Sequence, residues 1–171
     1  MSSVEEVIRT KRAVRQFATT PPPDAAVEAI LRAGHYAQSS KNGQPWHFIA
    51  IRDRETLRRL SQTGDFAGHL AGAALGVALV APVDEPERDR WIMFDLGQAA
   101  SYMQLEAWEL GIGSCIATIY HPEQAAALLG IPDGYRCDVA ISFGYPAESQ
   151  QHAPRPGGRK TLSEIVHWER W

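Results

Sequence analysis

ERDRWIMFDLGQAASYMQLEAWEL, residues 87–110, is the longest periodic stretch of the chain. Ile92, Leu96, Ala99, Met103, Ala107 and Leu110 recur at spacings of three or four, which predicts one long buried helix. Gly111 ends it. Immediately downstream, residues 112–119 read as a strand, and upstream residues 75–81 form a continuous apolar run that fits a strand buried on both faces. Shorter strand patterns occupy residues 46–51 and 137–143. Ser3-x-x-Glu6 is a capping-box signature for a helix over residues 3–12, with Val4, Val7 and Ile8 on one face. Pro21, Pro22 and Pro23 extend the chain, and Asp24 is placed to cap a helix reaching about Tyr36, with Val27, Ile30 and Leu31 inward. Residues 54–62 predict an exposed helix with Leu57 and Leu60 inward, and Pro122 starts another that ends near Gly130. Residues 146–160, rich in Pro, Gly, Gln and Arg, read as an arm crossing a surface, and Thr161-x-x-Glu164 caps a last short helix. Helices intermixed with four or five strands around a long central helix make an α+β or α/β layered domain.

Composition narrows the function. A chain of 171 residues is one domain, or one domain with an arm, at roughly 150 residues per domain. Its 44% hydrophobic and 22% charged content is that of an ordinary globular protein. A net charge of -3 and a pI near 6.1 argue against a nucleic-acid partner. Cys115 and Cys137 form neither a disulfide framework nor a zinc spacing. The N-terminus lacks a signal-peptide pattern, and residues 70–82 are too short and too rich in Gly and Ala to span a bilayer. The expectation is a soluble cytoplasmic protein with no membrane partner.

Three clusters carry chemistry. Lys11, Arg12 and Arg15 crowd five residues at a helix end. They read either as solvated charges complementing the helix dipole or as a phosphate grip. Arg155, Arg159 and Lys160 form a second cluster in the arm, where burial does not explain it. The polar loop from Ser39 through Ser40, Asn42, Gln44 and Pro45 to Trp46 is either a helix-to-strand turn or a set of donors and acceptors for a planar, heteroatom-rich ligand.

These elements together resemble the FMN-dependent nitroreductase family. The resemblance runs from Lys11-Arg12-x-x-Arg15-x-Phe17 through Ser39-Ser40-x-Asn42-x-Gln44-Pro45-Trp46-His47-Phe48 and Leu110-Gly111-Ile112-Gly113-Ser114-Cys115 to Arg159-Lys160-x-Leu162-x-Glu164-Ile165-Val166-His167. It implies an α+β layered fold with a central, mostly antiparallel sheet flanked by helices. It implies a single domain over residues 1–171 whose arm, residues 146–171, is exchanged in a homodimer with FMN at the interface. Lys11, Arg12, Ala13, Arg15, Arg159 and Lys160 would meet the ribityl chain and phosphate. Ser39, Ser40, Asn42 and Gln44 would reach the flavin from the partner subunit, and backbone at Thr118 and Ile119 would lie near N5. NADH or NADPH would reduce the flavin, which would then reduce a nitroaromatic, quinone or similar small-molecule acceptor in a ping-pong cycle. The chemistry resides at flavin N5, so no side chain is expected to be catalytic. Alternatives on the same fold are reductive dehalogenation, flavin cleavage, or FMN binding without turnover.

The chain departs from the family pattern at Ala13, where a Ser is common, and at Gln38, where a Pro is common. In residues 65–72, where larger relatives carry further flavin or substrate contacts, only Asp65 and His69 are polar candidates. Gly111-x-Gly113 lacks the third glycine and the strand-to-helix order of a dinucleotide fingerprint. The histidines show no metal-ligand spacing. Cys115 reads as a buried structural thiol, because no neighbour in sequence lowers its pKa. Asp95 and Gln98 could make an internal hydrogen bond or a dimer contact. Trp91, Trp108, Trp168 and Trp171 read as core or interface anchors.

Overall fold

The computed structural model of the chain describes residues 2–150 and 158–171. Arg155 of the expected second basic cluster lies outside the described residues. Helices α1 (Val4–Thr10), α2 (Asp24–His35), α3 (Arg54–Leu60), α4 (Pro86–Glu109), α5 (Pro122–Leu129) and α6 (Leu162–Ile165) alternate with strands β1 (His47–Ile51), β2 (Leu75–Pro82), β3 (Gly113–Thr118) and β4 (Tyr135–Gly144). The strands form one antiparallel sheet in the order β1-β2-β4-β3. Strand β2 lies inside it and is buried along nearly its whole length, as its unbroken apolar run requires.

Each face of the sheet carries a core. On one face Leu75, Val77, Leu79, Ile141 and Phe143 pack with Val27 and Ile30 of α2 and Ile92, Leu96, Ala99, Met103 and Ala107 of α4. On the other, Ala78, Val80, Cys137, Ala140 and Ala117 pack with Leu57 and Leu60 of α3, Ala125 of α5, and Leu70 of the short 3-10 helix at residues 68–72. Full burial of a Leu such as Leu57 or Leu60 contributes about 1.5–3 kcal/mol. Among the described residues no helix is long and apolar enough to cross a membrane.

The end of α4 fixes where β3 begins. Gly111 takes a left-handed φ of 75°, its N–H donates to Trp108 O at 3.0 Å, and Ile112 N–H donates to Ala107 O at 2.8 Å. This Schellman arrangement satisfies the last helix carbonyls and turns the chain straight into the edge strand. Leu110 is the C-cap and 39% exposed, so the apolar stripe of α4 stops at Ala107.

Two local expectations change. Pro23, already extended, is the N-cap of α2, and its carbonyl accepts from Ala26 and Val27. Asp24 is therefore the first helical residue rather than the cap, and its carboxylate pairs with Arg52 at 2.6 Å. Of the tryptophans expected as core or interface anchors, Trp91, Trp168 and Trp171 are 54%, 80% and 100% exposed and so lie outside the core, while Trp108 is half-buried. The arm ends in α6, where Thr161 N–H donates to the Glu164 carboxylate at 2.8 Å. Leu162, Ile165 and Trp168 of this segment are exposed.

Candidate functional site

Strand β3 is the sheet edge on which the site is built. Ile119 N–H donates to Asp138 O at 2.9 Å, so strand alternation turns the backbone groups of Ser114, Ile116 and Thr118 away from β4. Residues 13–17 cover the start of this edge: Val14 N–H donates to Ser114 O at 2.9 Å, and Ala13 bridges Ser114. Gly113 allows the approach, since a Cβ there would lie 2.6 Å from Val14 Cβ. Beyond that point Ile116 and Thr118 are exposed. Of the two backbone groups expected near a flavin, Thr118 thus faces outward, whereas the Ile119 N–H is engaged within the sheet and its side chain is buried.

Lys11, the C-cap of α1, and Arg15 of the covering segment come to this edge. Lys11 and Arg15 both lie close enough to Cys115 for their charges to act on its thiol. Burial pulls the Lys11 ammonium below its ordinary range, partly offset by Cys115. The two cations favour the Cys115 thiolate, but burial outweighs them and the thiol is raised overall. Cys115 is therefore a buried structural thiol even with cations beside it. Cys137, deeper in the sheet, is pushed up to about 12 by burial.

A third group meets them from the 3-10 helix Gly68–Gly72. His69 is 9% exposed, its Nδ1 lies 2.8 Å from Ser142 Oγ, and its Nε2 is buried with no hydrogen-bond partner. Burial and the charge of Arg15 lower the basicity of the ring, and the Ile116 backbone acts weakly the other way. Asp65, the other polar candidate of this segment, is exposed. The loop preceding the 3-10 helix is tied to the end of β3, for Tyr120 N–H donates to Thr63 O at 2.8 Å and Gly64 abuts the Thr118 carbonyl. Phe66 and Tyr120, on these joined loops, are 79% and 53% exposed.

Arg12 takes a different direction. Its guanidinium lies 4.9 Å from the centroid of the Trp108 ring, whose Nε1–H donates to Thr10 Oγ1 at 2.9 Å. Arg159 and Lys160 are exposed on the arm.

The polar loop is held elsewhere. Lys41, Asn42 and Gln44 all adopt left-handed φ, at 53°, 55° and 45°. Such residues persist only where surrounding bonds over-determine them, and they cluster at ligand clamps. Here Ser39 Oγ accepts from Gln44 N–H at 2.9 Å, and the buried Asp95 accepts from Ser40 N–H at 3.0 Å. Gln98 Nε2 reaches Asp95 Oδ1 at 3.4 Å, so the Asp95–Gln98 pair is internal and serves the loop. The Ser40 and Asn42 side chains remain exposed. A cavity of about 600 Å³ opens between this loop and the first half of α4, lined by Lys41, Arg88, Trp91 and Asp95.

The loop and Arg12 stand apart in one protomer. Asp95 anchors the loop and Trp108 carries Arg12, both on α4. Thirteen residues separate them, roughly 20 Å at the rise of an α-helix. They line different concavities. Sequence reasoning missed the anchoring role of Asp95, although an acid among Ile92, Leu96 and Ala99 on a buried stripe was its signal. It also missed Ser142, which nothing in the sequence marks.

The sequence matches the model of the Nitroreductase family over residues 8–63 and 66–145. An Archaeoglobus fulgidus protein, whose name refers to NADH dehydrogenase and NAD(P)H nitroreductase, is 30% identical over 177 residues, covering 100% of both chains. An FMN-dependent nitroreductase from Clostridium difficile R20291 superposes with a TM-score of 0.84 at 30% identity, covering 96% of this chain and 98% of that one. The NADPH:FMN oxidoreductase of Vibrio harveyi, solved with NAD+, shares the fold at a TM-score of 0.88 and 22% identity, over 98% of this chain and 77% of its own.

Proposed function

The chain belongs to the nitroreductase family, and from that premise we propose that it is an FMN-dependent oxidoreductase using NADH or NADPH to reduce nitroaromatics, quinones or similar small acceptors. The observation that carries this reading is that Lys11 and Arg15 both stand beside Cys115 of β3, the strand whose outer edge at Ile116 and Thr118 is exposed. These groups fit FMN. Two cations suit an anionic cofactor, and an exposed strand edge offers backbone groups to a planar ligand.

When bound, FMN supplies the hydride-accepting ring and hence the redox chemistry. The chain's own groups position and polarise. Lys11 and Arg15 offer charge-assisted hydrogen bonds. Arg12 adds positive charge while anchored on Trp108. Thr118 presents edge backbone, and Phe66 and Tyr120 offer apolar faces at the rim for a flat acceptor. One open face serving donor and acceptor in turn makes the cycle ping-pong.

The working unit in this reading is a homodimer. Ser39, Ser40, Asn42 and Gln44 complete the site of the partner subunit, and Arg159 and Lys160 arrive on the exchanged arm. The separation of the loop from Arg12 along α4 supports this, as do the exposed Leu162, Ile165 and Trp168 of the arm.

A visible spectrum of the purified protein, before and after anaerobic NADH and NADPH, tests the activity. Flavin bands that bleach are expected. Bands that persist with both donors would reduce the protein to an FMN binder, and no bands after incubation with FMN would refute the cofactor.

A further inference from the structure

The cavity beside the polar loop has an aromatic wall and a cation. Lys41 and Pro45 come to it from the loop, Pro82 from the end of β2, and Arg88 and Trp91 from α4. Its volume of about 600 Å³ falls among those of small-molecule sites, roughly 300–1,000 Å³. Trp91 precedes Asp95 by one helical turn, so the two share a face of α4, and Asp95 holds the loop through Ser40 N–H. The Trp91 indole is braced by Phe94, edge to face with centroids 6.2 Å apart, and by Arg90, 5.6 Å from the ring centroid. At 54% exposure it still offers a broad aromatic surface.

The other charges of the lining are engaged. Arg88 Nε pairs with Asp84 at 3.1 Å, and the Asp95 oxygens accept from Ser40 N–H at 3.0 Å and Gln98 Nε2 at 3.4 Å. Lys41 is the remaining cation of the lining, and it is exposed. Its backbone is left-handed, with φ 53° and ψ 24°. Glycine adopts that conformation freely, whereas a residue with a Cβ adopts it at an energetic cost. Lysine thus stands where its backbone is a liability, and what it contributes is an ammonium on a long stem beside an aromatic wall. Backbone strain of this kind collects at ligand clamps.

We propose that this cavity is an acceptor subsite that selects aromatic acceptors bearing an acidic group, a carboxylate or sulfonate: the ring lies on Trp91 and Lys41 holds the anion. The inference rests on the FMN reading, which brings this loop to the partner's flavin, and it names the acceptor class for that site. Trp91 supplies affinity for any flat ring, and Lys41 supplies the preference for the charged one by a charge-assisted hydrogen bond.

Calorimetric titration of the flavin-loaded protein, with no nicotinamide donor present, tests this with 4-nitrobenzoate and the neutral 4-nitrobenzamide. The wild type is expected to bind the acid about tenfold more tightly than the amide, with a preference that shrinks as salt rises. Lys41→Met keeps the stem and the backbone conformation but not the charge, and is expected to abolish the preference. Lys41→Arg is expected to restore it, and Trp91→Leu to weaken both ligands. In turnover with NADH, the acid-to-amide ratio of kcat/KM is expected to fall about tenfold from wild type to Lys41→Met, a comparison in which the acceptors' own redox potentials cancel. Equal affinity of the wild type for acid and amide, no binding of either, a preference that survives Lys41→Met, or undiminished binding by Trp91→Leu would overturn the proposal while leaving the FMN reading intact. A loss of NADH affinity in Lys41→Met as large as that for the acid would give the cavity to the donor and overturn the acceptor assignment. A wild type that takes up no FMN would overturn both readings.

Discussion

The Ser40 N–H donates to Oδ2 of Asp95 at 3.0 Å, and this bond ties a loop with three left-handed residues to the central helix. Asp95 is 5% exposed, so removing its carboxylate leaves a buried donor without a partner. Asp95→Ala is expected to cost roughly 1–3 kcal/mol in urea denaturation, and Asp95→Asn, which keeps an acceptor oxygen, less. Both are expected to weaken FMN binding through the loop. An unchanged midpoint in the Ala variant would remove Asp95 from its anchoring role.

Lys11 and Arg15 share a neighbour at the β3 edge, whereas Arg12 lies on Trp108. Arg15→Ala is expected to raise the Kd for FMN roughly 10-fold to more than 100-fold, the loss of a charged hydrogen bond of about 1.5–3 kcal/mol. Arg12→Ala is expected to act more on stability, by about 0.5–2 kcal/mol from the lost cation–π contact. Fluorescence titration and thermal melting separate the two. Equal effects of both variants on Kd would show that the side chains share one role.

A Cβ on Gly64 would lie 2.1 Å from the Thr118 carbonyl oxygen, a backbone atom that moves only if the end of β3 moves. Gly64→Ala is therefore expected to destabilise by about 1–3 kcal/mol and to weaken FMN binding as well. Gly34→Ala is the contrast. Its Cβ would meet only side-chain atoms, Met103 Cε at 2.2 Å and Cγ at 2.9 Å, so buried Met103 must shift, and the cost, partly offset by alanine's helix propensity, is expected to be smaller than at Gly64. A Gly64→Ala protein with wild-type melting and affinity would contradict the tight seam between these loops.

Much of this architecture is legible in the sequence because it is local. The spacing of Ile92, Leu96, Ala99, Met103 and Ala107 gives α4, the unbroken run of β2 gives an inner strand, and Thr161 with Glu164 marks the last helix. Lys11, Arg15 and the polar loop stand out as charge and heteroatom density. What escapes is nonlocal. His69, Cys115 and Ser142 meet only because the 3-10 helix packs over β3 and β4. Which way Arg12 turns depends on Trp108, and Asp24 loses its capping role because Pro23 is already extended.

The pH dependence of the flavin-free protein follows from His69. Burial, then Arg15, set its folded-state pKa below the ordinary 6.5. Below that value the unfolded chain binds more protons than the folded one, so stability rises with pH. The contribution is fully present above about pH 6.5 and is lost as pH falls through the lower folded value. Urea midpoints between about pH 5 and 7.5 are expected to fall towards acid in the wild type and to flatten in His69→Gln. Identical pH profiles would mean that His69 is not the group responsible.

The central claim is that each flavin site joins the cations of one protomer to the loop of its partner, and mixed dimers test it most directly. A Lys11→Ala/Arg15→Ala chain and a Ser39→Ala/Ser40→Ala/Asn42→Ala chain, purified as a differently tagged pair, place both defects in one site and none in the other. The account predicts about one FMN per mixed dimer, against about two for wild type and almost none for either variant alone. A mixed dimer without flavin would mean that loop and cations act within one chain, and would contradict the account.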